Sequence, residues 1–110
     1  MTSIDRSRWV STMQAFTERN ASRRTLIELN DAEANLQDRE IELQLPLRGV
    51  AYDPRDDSIE IMVGSLEGTD NHLTHIVRSP TGIDLVTRPD GRDDALWIEQ
   101  GNGGTRLTLL

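Results

Sequence analysis

The sequence predicts an α+β fold: an N-terminal amphipathic helix packed on a curved antiparallel sheet, or a partly open barrel, of about six to seven strands. Three observations carry that expectation. Trp9, Met13 and Phe16 recur at spacings of four and three, an apolar stripe along one side of a helix. From Arg24 onward, short runs place an apolar residue at every second position, the pattern of strands with one wet face. Between the runs lie Asp53-Pro54-Arg55-Asp56-Asp57-Ser58, Ser79-Pro80-Thr81-Gly82, Pro89-Asp90-Gly91 and Gly101-Asn102-Gly103-Gly104, all rich in residues that turn the chain. With 110 residues and no low-complexity linker, the chain reads as one domain, with the helix over about 5–20 and an antiparallel meander over about 23–110.

The helix is expected to start at Asp5, a good N-cap. Ile4 and Trp9 then stand at the two positions of a hydrophobic staple, Val10 flanks the stripe, and Asn20 closes the end. The polar face mixes both charge signs, which favours a helix packed on a sheet over one lying on a membrane surface.

The first strand is expected at Arg24–Asn30, with Thr25, Ile27 and Leu29 on one face. Ala32–Gln37 is read as a loop or a single helical turn. Asp38–Leu47 is the cleanest strand: Ile41, Leu43, Leu45 and Leu47 alternate with Glu40, Glu42 and Gln44. Pro46 cannot donate to a ladder, so it marks an edge or a bulge, and Gly49 supports a bulge. Val50-Ala51-Tyr52 continues extended into the Asp53–Ser58 turn. Further strands follow at Ser58–Gly64, His72–Arg78, Ile83–Arg88, Ala95–Gln100 and Thr105–Leu110, with a loop at Ser65–Asn71. The last strand carries little charge and is expected to be a sheet edge.

Composition excludes several chemistries. There is no cysteine, so disulfides, thiolate nucleophiles, iron–sulfur clusters and cysteine-type zinc sites are out. All 12 basic residues are Arg, which removes lysine Schiff-base and P-loop chemistry; codon bias in a GC-rich genome accounts for the Arg usage, with adaptation to salt as the alternative. The formal charge of −7 makes DNA and anionic membranes poor partners, so neither nucleic acid nor membrane is expected. Without an apolar leader or spanning segment, a soluble, cytoplasmic protein is expected.

Candidate chemistry is sparse. His72 and His75 are the two histidines; on a strand, their odd spacing puts them on opposite faces and argues against a shared metal. Asp53, Asp56 and Asp57, with Glu60 nearby, form the densest acidic cluster. Loop carboxylates can hold Ca²⁺ or Mg²⁺, yet the EF-hand spacing and its glycine are missing. The simpler reading is turn chemistry, with Arg55 as a counter-charge. No dinucleotide loop or nucleophile elbow fits, and no cofactor is expected.

The helix with its Trp, then Leu45-Pro46-Leu47-Arg48-Gly49-Val50-Ala51-Tyr52-Asp53-Pro54, then Asp57-Ser58-Ile59-Glu60-Ile61, then a His-containing strand before Pro80, resembles a bacterial family known only as domain of unknown function DUF5335. The resemblance covers nearly the whole chain. It implies a small single-domain α+β protein and no activity, and it carries over no catalytic residue.

Three functional readings follow. The first is a non-catalytic binding or protein-interaction module acting through a sheet face or edge, with an unknown protein or a second copy as partner, since open antiparallel edges pair with other chains. The second is a hydrolase or metal-dependent enzyme using His72 or His75 with Asp53, Asp56 or Asp57 in one cleft. The third is an acidic charge mimic, which needs the 19 acids gathered on one face.

Overall fold

The structure, a computed structural model, describes residues 2–31, 36–41, 45–64, 72–101 and 103–110. Along the chain run β1 (Thr2–Ser3), a 3-10 turn (Arg6–Arg8), helix α1 (Trp9–Asn20), β2 (Thr25–Asp31), β3 (Leu36–Ile41), β4 (Leu47–Asp53), β5 (Ser58–Gly64), β6 (His72–Arg78), β7 (Gly82–Thr87), β8 (Asp93–Gln100) and β9 (Gly103–Leu109). They form two antiparallel sheets, one ordered β1-β7-β8-β9-β2-β3 and one ordered β4-β5-β6.

The alternation of side chains becomes cross-strand rows. In the larger sheet, Ile27, Leu107, Leu96 and Leu85 stand opposite one another in turn, and so do Leu29, Thr105, Ile98 and Ile83. In the smaller sheet the rows are Leu47–Val63–Leu73, Val50–Ile61–His75 and Tyr52–Ile59–Val77. Trp9, Met13 and Phe16 of α1 join these rows in one core. Burying that many large side chains, each contributing about 1.5–3 kcal/mol, is the main force holding the two sheets and the helix together.

The helix stripe is where its spacing put it, with two corrections. The α-helix begins at Trp9, because Arg6–Arg8 winds as a 3-10 turn closed by the Arg8 N–H to Asp5 O bond of 2.9 Å. Val10 lies outside the core, 44 % exposed. Ile4 and Trp9 do meet, through an indole N–H donated to Ile4 O at 3.0 Å. Asn20 ends the helix and is buried; its side-chain amide donates to Phe16 O at 2.9 Å and to Asp93 Oδ2 at 2.6 Å.

A single curved sheet or partly open barrel is not what forms. The expected strand Asp38–Leu47 is divided between the two sheets, as β3 and the start of β4. Pro46 is the corner. It has no N–H to donate, and the chain there lies beside the head of β2: Leu47 N–H donates to Arg23 O at 2.8 Å and Thr25 N–H to Leu45 O at 3.1 Å. Pro46 O meanwhile accepts from Gly64 N–H at 2.9 Å, inside the smaller sheet. Leu45 packs against the core as its row required, whereas Leu43 lies outside the described residues. The pairing of β4 with β5 slips between Leu47 and Gly49, where a bulge was expected.

Two further expectations change. The C-terminal strand is no edge: β9 pairs with β8 on one side and β2 on the other, so the meander closes back on its own beginning. The outer strands of the larger sheet are instead β3 and β1, whose Thr2 and Ser3 pair with Leu85 and Asp84. Of the loop or helical turn expected at Ala32–Gln37, residues 32–35 lie outside the described residues and Leu36 and Gln37 are strand instead; the loop expected at Ser65–Asn71 lies outside the described residues.

Candidate functional site

The smaller sheet has two outer strands, and they are treated differently. Helix α1 lies along β4. Thr17 Oγ1 accepts the Val50 N–H at 2.9 Å and donates back to Val50 O at 3.0 Å, so one hydroxyl satisfies both outward backbone groups of that residue. Gly49 permits the approach; a Cβ there would sit 3.3 Å from Thr17 Cγ2.

The direction of Val50 fixes the hydrogen bonding of the whole sheet. Antiparallel pairs alternate between facing each other and facing away. Val50 faces away from β5, so its partner Ile61 faces β6, and Ile61 and His75 exchange both bonds. Three other bonds agree with this parity: Gly64 N–H to Pro46 O at 2.9 Å, Ser79 N–H to Asp57 O at 2.8 Å, and Gln100 Nε2 to Arg78 O at 2.6 Å from outside the sheet. Thr74 and Ile76 therefore turn their backbone N–H and C=O groups away from β5. Among the described residues nothing pairs with them. Their side chains are also exposed, Ile76 to 42 %.

The strand presents its two histidines oppositely, as odd spacing requires. His75 faces inward, half-buried, with Nε2 3.3 Å from Thr105 Oγ1 of the larger sheet. Burial lowers its pKa below the usual 6.5, because the imidazolium would lose water there. His72 faces outward at the far end of the strand, where Arg48 Nη1 lies 2.6 Å from its Nδ1. The two line an open cleft of about 400 Å³ together with Met62, Val63, Leu73 and Thr74.

The turn carboxylates are elsewhere. Ser58 stands opposite Arg78 and Gly64 opposite His72, so the Asp53–Ser58 turn and His72 are separated by six residues of strand, roughly 20 Å. Each acid has local work. Asp53 Oδ1 accepts the Arg55 N–H at 3.0 Å, and Asp56 Oδ2 meets Ser58 Oγ at 3.3 Å and Arg78 at 3.8 Å. Asp57, in the left-handed region at φ 46°, accepts the Tyr52 hydroxyl at 2.7 Å and Arg6 at 3.2 Å. The structure thus brings neither histidine to these carboxylates, and among the described residues no three His, Asp or Glu side chains converge as metal ligands would. Two further acids have partners as well: Asp93 is buried under Arg19 and Asn20, while Asp94 pairs with Arg88 at 3.2 Å.

Sequence reasoning missed three groups. Thr17 sits on the polar side of the helix stripe and gave no sign that it would cap a strand. Thr74 and Ile76 matter through backbone direction, which depends on the partner strand. Arg6 lies over the Trp9 ring, 4.3 Å from its centroid, and donates to Pro80 O at 2.9 Å, joining the N-terminal turn to two remote loops.

A model of the family described as Family of unknown function (DUF5335) matches residues 1–110. No curated protein and no solved structure matches the chain. No helix among the described residues is long and apolar enough to cross a membrane.

Proposed function

We infer, from the premise that the chain belongs to DUF5335, a family of unknown function matched over all of 1–110, that it is a non-catalytic protein-interaction module that takes up an extended segment along β6. One observation carries this reading: β6 offers the backbone donors and acceptors of Thr74 and Ile76 outward, on the outer strand of the smaller sheet that no helix covers among the described residues. Main-chain bonds of this kind supply affinity when a peptide adds to a sheet, and alternate side chains supply selectivity. Here those side chains are Thr74 and Ile76, with His72 and Arg78 at the ends. Natural sheets block such edges with lysine, proline, bulges or covering elements. The strand has no lysine, proline or bulge.

Amide hydrogen exchange on the dilute chain tests the reading. The Thr74 and Ile76 amides are expected to exchange fast, and those of His75 and Val77, bonded to β5, slowly. Equal protection of all four amides in the dilute chain would remove the open edge and the reading with it.

A further inference from the structure

We propose that the segment taken up at β6 is the β6 strand of a second copy of this chain, paired antiparallel about a twofold axis at His75; this rests on the open-edge reading above. A strand edge is self-complementary when a twofold register matches every outward donor to an outward acceptor. In the His75-centred register, Thr74 of each copy stands opposite Ile76 of the other. Each such pair exchanges two bonds, so the four outward groups of Thr74 and Ile76 on both copies are all used. The Arg78 carbonyl, already bonded to the Gln100 side chain at 2.6 Å, is not needed.

Charge permits the approach. The chain carries 19 acids, yet His72–Arg78 contains none, so two copies meet here without facing carboxylates. At each end His72 faces Arg78 of the other copy, and Asp56 lies 3.8 Å from that Arg78 as its counter-charge. On the outer face, the 42 % exposed Ile76 side chain lies against the Thr74 methyl group across the axis. The product is a continuous six-stranded sheet, β4-β5-β6 joined to the same three strands of the second copy. Both of its ends are then β4 strands, along which α1 lies with Thr17 bonded to Val50.

The absence of cysteine from the chain makes the register testable. Sedimentation of the full chain from micromolar to submillimolar concentration is expected to show the 12.4 kDa species giving way to one of twice that mass. Thr74→Pro removes an outward N–H and no bond to β5, so this variant should keep the wild-type circular dichroism and stay at 12.4 kDa. Mixing the single variants Thr74→Cys and Ile76→Cys under oxidation should give a disulfide-linked dimer that neither variant forms alone, since hydrogen-bonded partners lie at disulfide distance. A wild-type chain that stays monomeric throughout, or a dimer that survives Thr74→Pro, overturns the proposal. So does cross-linking of either single variant with itself. A persistent monomer whose Thr74 and Ile76 amides exchange fast would sink self-pairing alone, whereas protected amides in that monomer would sink the open edge as well.

Discussion

Tyr52 is the chain's single tyrosine, so its ionisation can be read directly from phenolate absorbance. Its hydroxyl donates to Asp57 Oδ1 at 2.7 Å, and that bond, then burial and the Asp57 charge, raise the phenol above its usual 10.0, with Arg6 opposing. Asp57→Asn is expected to bring the titration back toward 10.0; an unmoved midpoint would mean the hydrogen bond is not the cause. A folded-state value raised in this way contributes stability that is present below the unfolded value and lost as pH rises through the folded one. Gly104 is constrained by space instead. A Cβ there would lie 2.5 Å from both Ile98 O and the Trp97 ring, so Gly104→Ala forces two paired strands apart. The expected cost is about 1–3 kcal/mol, read as a lower urea midpoint at unchanged slope. Neither effect was legible in the sequence. Tyr52 and Asp57 look like turn residues until the hairpin folds one over the other, and Gly104 looks like a turn glycine until Trp97 covers it. The opposite facing of His72 and His75 was legible, because it follows from strand parity alone.

Elements were read best where a local period decides them. The Trp9, Met13 and Phe16 stripe, the strands β5 to β9 and the bulge beside Gly49 all follow from spacing or from glycine and proline chemistry. The division of Asp38–Leu47 did not, since its alternation continues unbroken through the corner and only the hydrogen bonds of Pro46's neighbours change sheet. The cover of β4 by α1 was equally hidden, because one hydroxyl makes it. Thr17→Val keeps the shape of that side chain and deletes the hydroxyl, leaving the Val50 N–H and C=O without their partner. An unsatisfied buried backbone group costs about 1–3 kcal/mol, and this pair is part-buried, so a loss of about 1–2 kcal/mol in unfolding free energy is expected. Thr17→Ser should recover most of it. If Val and Ser lose equally, the contact is packing by the methyl group and the hydroxyl caps nothing.

The whole molecule depends on how the two sheets meet, and no local pattern reports that. The pairing of β9 with β2 joins residues some eighty positions apart, Leu109 with Thr25, and is set by which faces can be buried together. One consequence is chemical. A polar contact on the inner rows is that of His75 with Thr105 across the gap between sheets, where burial disfavours the charged imidazole. Its pKa is lowered by burial, whereas in the unfolded chain it is near 6.5. Between those two values the unfolded chain binds the proton and the folded chain does not, so stability falls as pH falls. It is full above about 6.5 and is lost downward through the folded-state value, at up to about 1.4 kcal/mol per pH unit. His75→Gln keeps a polar partner for Thr105 and removes the titration. Thermal midpoints followed from about pH 8 down to about pH 5.5, above the range in which carboxylates protonate, should decline for the wild type and stay level for the variant. Parallel profiles would show that His75 gains its proton without cost, and that the space between the sheets admits water at this point.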